Sequence, residues 1–232
     1  MTHEALVTCD GAADPALMIC NTRARAVPRC AIVCVLIGVL VSGCDGRGPS
    51  VPETPTSPAM PGVIGLRCGD ERWAVKTLSD PDASRVNLSP AVPTTITAMN
   101  GLQPHCSGLP QTRTFAEEFR VFELTGRVTF VRLEDDRDYH IVLADPNSPD
   151  NTMIVESVDP GCQGAVTSPD LPLLRAGRES LLAVSGQRPS SLIGQSVRVT
   201  GVGFYDFGHG QTGMSRSCIE LHPILRIDAS DG

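Results

Sequence analysis

The chain has 232 residues, 41% hydrophobic and 19% charged, apolar enough to bury a core and too apolar for a wholly disordered protein. Aromatics at 4% exclude an array of base-stacking platforms, and a net charge of -7 argues against nonspecific binding to nucleic acid or anionic lipid, which needs clustered Lys and Arg. Nine cysteines are many for this length, and their positions organise the chain.

Cys9, Cys20, Cys30, Cys34 and Cys44 fall in the N-terminal segment, and Cys68, Cys106, Cys162 and Cys218 are spread over the rest. Residues 31–41 form an uncharged apolar run, too short for a spanning helix, which needs about 20 such residues. Its length suits the apolar region of a secretory signal, with Arg23, Arg25 and Arg29 as the positive region before it. Residues 1–17 carry Glu4, Asp10 and Asp14 and do not read as the start of a signal, whereas Met18 opens the basic stretch. Residues 1–17 are therefore expected to be a gene-calling extension and 18–43 the signal peptide.

Val41-Ser42-Gly43-Cys44 resembles the lipobox of bacterial lipoproteins. The resemblance implies cleavage before Cys44, lipidation of its thiol, and a position in the bacterial envelope with the domain periplasmic or extracellular. Asp45 resembles the inner-membrane retention signal of enteric lipoproteins. Residues 44–62 then supply the lipidated Cys and a Pro-rich stretch with almost no apolar side chains, which reads as a disordered tether.

Residues 63–230 are expected to fold as one domain. Its four cysteines, in an oxidising compartment, suggest two disulfides, and spacing leaves all three pairings open. No C-x-x-C pair is present to favour a Cys₄ metal site. Residues 63–115 read as an irregular N-terminal layer, with Trp73 in its core.

Residues 121–133 alternate well, setting Phe122, Leu124, Val128 and Phe130 on one face and Glu123, Thr125, Arg127 and Thr129 on the other, which predicts a long half-buried strand with Gly126 at a bend or bulge. The polar turn 134–138 leads into a strand over 139–144, a hairpin, and 152–158 reads as a third strand. Ser168-Pro-Asp can cap a helix carrying Leu171, Leu174, Leu181 and Val184. Residues 196–205 and 218–227 read as the fourth and fifth strands, joined by a Gly-rich loop. On the last strand Ile219, Leu221, Leu225 and Ile227 are expected to face one way, and Glu220 and His222 the other.

This order resembles the OB-fold, a mainly β fold whose five-stranded barrel has a helix between strands 3 and 4. The folded part is also similar to a family of uncharacterised exported bacterial proteins. The matching stretches are Glu71-Arg-Trp-Ala-Val-Lys-Thr77, Asp138-Tyr-His-Ile-Val-Leu-Ala-Asp145, Asp159-Pro-Gly-Cys162, Val199-Thr-Gly-Val-Gly-Phe-Tyr-Asp206, His209-Gly-Gln-Thr-Gly213 and Ile219-Glu-Leu-His-Pro-Ile-Leu225. That resemblance implies pairing of Cys68 with Cys162, leaving Cys106 with Cys218.

The chain has no Gly-x-Ser-x-Gly elbow, no phosphate-binding Gly-rich loop and no His-Glu-x-x-His helix. The reading that follows is a lipid-anchored binding or envelope-structural module, without a resident cofactor, whose first partner is the membrane. The competing class is a metal-dependent phosphoester hydrolase. Asp206, His209, Glu220 and His222, with His140 nearby, are the residue types that hold a divalent ion and activate a bound water. The plainer account of these residues is an exposed strand face beside a flexible loop. A third option, oligonucleotide binding by a stripe of Arg120, Arg127, Arg132, Arg198 and Arg226, runs against the acidic balance. The acidic turn 134–138 sits where OB-folds grip ligands and favours a cation, the alternative being a solvated hairpin turn.

Overall fold

A computed structural model describes residues 65–230. The signal peptide, Cys44 and the Pro-rich tether expected above lie outside the described residues.

The architecture is mainly β, an OB-like barrel with an extra strand. The elements are α1 (Trp73–Lys76), β1 (Asn87–Pro93), α2 (Ile96–Asn100), β2 (Arg120–Leu133), β3 (Tyr139–Ala144), β4 (Thr152–Ser157), α3 (Leu171–Val184), β5 (Ser196–Tyr205) and β6 (Ile219–Ala229), with four short 3₁₀ turns. Strands β2-β3-β4-β6-β5 pair in that order, and β2 closes the ring by pairing with β5. Closure depends on the length of β2. Its first half pairs with β5 from Val121 to Arg127, and its second half pairs with β3 from Arg127 to Leu133. Gly126 sits at the changeover, where an added Cβ would stand 2.8 Å from both Ile96 and Leu143. β4 and β6 run parallel, the long connection between them carrying α3 and β5.

The alternation read from the sequence fills the barrel as far as Val128; a bulge in β2 between Val128 and Phe130 then turns Phe130 outward, opposite Val142 and beside His140, and brings Val131 inward in its place. Phe122, Leu124, Val128, Ile141, Leu143, Met153, Val155, Val197, Val199, Ile219, Leu221 and Ile227 share one core. At about 25 cal/mol per Å² of apolar area, such inward side chains supply the main drive for closure. A second core lies outside the barrel wall, where Leu78, Ala83, Val86, Val121, Ala165, Leu174 and Val202 pack together. The segment from 65 to 93 is thus an outer layer over the barrel.

That layer is less irregular than the sequence suggests. β1 pairs in parallel with the start of β2, Asn87 opposite Arg120 and Val92 opposite Phe122. Two buried arginines rivet the layer to the wall. Arg72 donates from Nη1 to Glu118 Oε1 (2.6 Å) and to the Tyr205 carbonyl (2.5 Å), and from Nε and Nη2 to the carbonyls of Pro110 and Thr112. Arg113 donates to Asp80 Oδ1 and to the carbonyls of Glu118 and Val75. The planar guanidinium suits both positions, because its fan of donors meets several fixed acceptors at once.

The cysteines pair as the exported-family resemblance implies, Cys68 with Cys162 and Cys106 with Cys218. Both bonds join the N-terminal layer to the body of the barrel. Trp73 is not in a core: it is half-buried, and its Nε1 donates to the Gln163 carbonyl. On β6 the pairing with β5 slips twice, between Arg226 and Ile224 and between Ile224 and Leu221. Each slip adds one residue and shifts the face, so Ile224 takes the inward position expected for Leu225, which packs against the outer core, and Ile227 still faces inward. Among the described residues no helix is long and apolar enough to cross a membrane.

Candidate functional site

The inward faces of β3, β4, β5 and β6 are apolar, so their outward side chains meet the N-terminal layer. There the sequence puts His140 on β3, Glu156 on β4, Phe204 on β5, Asp206 just after it, and Glu220 and His222 on β6. α1 lays Lys76, the only lysine of the chain, over this face. Glu220 and His222 were expected on an exposed strand face, and the layer instead buries them at 1% and 0% exposure.

Glu156 is the hub. Its Oε1 lies 2.9 Å from His140 Nδ1, and its Oε2 lies 2.9 Å from His222 Nδ1 and 4.0 Å from Lys76 Nζ. The His222 approach is bent, close enough for an ion pair but not an aligned hydrogen bond. His222 Nε2 lies 3.1 Å from Asp138 Oδ2, and His140 Nε2 lies 2.9 Å from the Thr212 carbonyl. All four ring nitrogens therefore face acceptors. A neutral imidazole can donate from one nitrogen only, so the imidazolium form satisfies both rings.

The electrostatics agree. Burial works against a charged His222, yet the carboxylates of Asp138 and Glu156 outweigh it and lift its pKa to about 9. His140 is raised in the same way, burial being outweighed by Glu156. Glu156 itself sits well below the usual carboxylate range, because its two imidazoles and Lys76 overcome its own desolvation. Asp138 moves the other way, since burial pushes it up further than His222 pulls it down. Lys76 stays above its ordinary value, its desolvation overcome by Glu156, Asp206 and Glu220. The Phe204 ring faces both Arg72 at 4.8 Å and Lys76 at 5.4 Å.

Glu220 is the exception. Burial, and then repulsion from Glu156 and Asp206, hold it well above the usual carboxylate range. The charges explain why. Lys76, His140 and His222 already balance Glu156, Asp206 and Asp138, so a neutral Glu220 leaves the buried cluster without net charge. Its Oε2 is buried and has no hydrogen-bond partner, which costs about 1–3 kcal/mol in a packed interior.

A cleft of about 480 Å³ opens onto this cluster. Its walls come from 68–76, the β2–β3 turn, and the β5–β6 loop, with Glu156 and Glu220 at the floor and Trp73 at the side. In barrel order this is the second strand with the first and last connecting loops, where OB-folds take ligands. The turn 134–138 is only partly a solvated hairpin, because Asp138 is fully buried against His222. Asp70 and Glu134 are paired with Arg67 and Arg132, but Glu71, Asp135 and Asp136 have no ion-pair partner among the described residues. The mouth is thus net acidic.

The quartet Asp206, His209, Glu220 and His222 does not form one ligand set. His222 is turned into the wall against Asp138 and Glu156, while Asp206 and the exposed His209 gather with Glu71 at the mouth. A different trio, Glu134, His140 and Glu156, also brings three ligand atoms within 4.8 Å of one another. Sequence reasoning missed Lys76 and Glu156. The detectable signal was a single acid in the apolar run Met153-Ile-Val-Glu-Ser157, since a carboxylate inside a buried strand needs a partner. The Arg stripe is dispersed, Arg132 pairing with Glu134 and Arg226 with Asp228. Comparison of the sequence with protein-family models and with curated proteins finds no match.

Proposed function

We propose that this chain is an exported, lipid-tethered binding module that takes a cationic ligand in the acidic cleft at the end of its barrel. One observation carries the ligand reading. Glu220 presents a buried oxygen without a partner at the floor of a cleft whose mouth holds three unpaired carboxylates. Removing a polar group from water without a partner is unfavourable, and a ligand that supplies a donor or a positive charge relieves it. The excess of acid at the mouth attracts cations and repels phosphate-rich strands, so the oligonucleotide reading loses ground.

The export reading rests on the Arg-flanked apolar run and Cys44. Two disulfides between distant parts of the fold support it, since such bonds persist in oxidising compartments. A mature lipoprotein carries more than one acyl chain, which suits stable anchoring, whereas a single chain binds only marginally.

Trp73 is the only tryptophan and lines the cleft, so its fluorescence reports on occupancy. Titrating full-length protein in neutral detergent with the linear triamine spermidine should give a saturable change, weakened by added salt and by Glu71→Gln. No response to the triamine, or tighter binding of an oligonucleotide, would contradict the proposal.

A further inference from the structure

Within the cleft, we propose that His140, Glu134 and Glu156 form a binding site for a divalent transition ion of the Zn²⁺ class. The inference rests on the cationic-ligand reading and deepens it by naming the ion and its ligands.

The geometry is close to what such an ion requires. His140 Nδ1 lies 2.9 Å from Glu156 Oε1 and 3.6 Å from Glu134 Oε1. Tetrahedral zinc with bonds of about 2.0–2.1 Å sets its ligand atoms roughly 3.3 Å apart, between the two observed separations. The three ligand atoms already lie within 4.8 Å of one another, so seating the ion needs side-chain adjustment and no movement of the strands. It takes the place of the Nδ1 proton now shared with Glu156.

The other ring nitrogen is already arranged for this role. Nε2 faces the Thr212 carbonyl at 2.9 Å, and the N–H it donates there keeps a proton on Nε2, so that the proton an ion displaces is the one on Nδ1. Metal-bound histidines are almost always held in this way through their second nitrogen. The ring is buried while Glu134 is partly open to the cleft, so a fourth position faces solvent. Glu220, whose buried Oε2 has no partner, lines the same cleft. The donor set selects the ion: one imidazole with two carboxylates suits zinc and its neighbours, whereas Ca²⁺ takes six to eight oxygens.

Two features of the wall set how tightly the ion is held. Lys76, 4.0 Å from Glu156 Oε2, opposes the charge of the ion. Arg132 bonds the same Glu134 oxygen that would turn to the metal, so the ion must displace an exposed guanidinium.

The test is a calorimetric titration of full-length protein, freed of metal by chelator, with Zn²⁺ alone. One ion per chain should bind. Glu134→Gln, in a surface turn, and His140→Gln should each weaken binding by at least about tenfold, Arg132→Ser should tighten it, and His209→Ala should leave it unchanged. Unchanged thermal melting of Glu134→Gln shows that its loss of binding is not a loss of fold. Loss of zinc binding in His209→Ala with full binding in Glu134→Gln would move the ion to the mouth and overturn the site. If zinc does not bind while spermidine still alters Trp73, the metal site fails and the cationic cleft stands. If neither binds, both fail.

Discussion

His222 is fully buried between two carboxylates, and it makes stability depend on pH. Its pKa of about 9 lies above the value of 6.5 it has when exposed. Its contribution is therefore fully present below pH 6.5 and is lost as pH rises through about 9, on the order of 3 kcal/mol in all. Glu220 has the same sign, since its folded value also lies above its exposed one and the native state resists giving up that proton. Glu156 has the opposite sign, with its contribution lost as pH falls below about 4.5. The melting temperature should therefore fall steadily from pH 6.5 to about 9.5, and Glu220→Gln, which cannot ionise, should flatten that fall. Melting curves followed by circular dichroism across this range check it, and a wild-type profile without slope would refute it. The outward direction of Glu220 and His222 was legible, because they alternate with Ile219 and Leu221. Their burial was not, because what covers them comes from residues 70–80, some 140 residues earlier in the chain.

Strands announce themselves by period, and β2, β3 and β5 could be read almost to their end residues for that reason. β1 could not. Asn87-Leu-Ser-Pro-Ala-Val-Pro93 has no alternation and contains two prolines, and its position at the sheet edge is where proline is tolerated. The two slips on β6 were likewise unreadable, since the apolar run Pro223-Ile-Leu225 admits either face. The helix between the third and fourth barrel strands was visible in its leucines, yet its tightest contact belongs to Gly177. An added Cβ there would sit 2.0 Å from the Ile224 carbonyl oxygen, so α3 lies on β6 at a distance only glycine permits. Helix propensity alone would reward Gly177→Ala by up to about 1 kcal/mol. The clash with backbone should reverse the sign, costing a net 1–3 kcal/mol or so, and lower the melting temperature by roughly 2–4 °C per kcal/mol. A stabilised Gly177→Ala variant would mean that this contact is not as close as described.

At the scale of the whole molecule, a barrel carries its apolar core inside and a balanced charge cluster outside, and a separate N-terminal layer roofs that cluster. Two disulfides tie roof to barrel across 94 and 112 residues of sequence. Their number was readable from cysteine arithmetic, and the pairing from resemblance to exported proteins. The cleft was not readable, because it exists only where the roof stops short of the two loops. The neutral cluster beneath and the acidic mouth above are the basis of the proposal that this gap takes a cation. It is tested most directly by titrating isotope-labelled full-length protein in detergent with spermidine and following backbone and indole chemical shifts. Perturbations confined to the Trp73 indole and to segments 68–76, 132–140 and 206–220 are predicted. Shifts gathered instead in the groove of Thr94, Thr95 and Asn147, or no shifts at all, would contradict it.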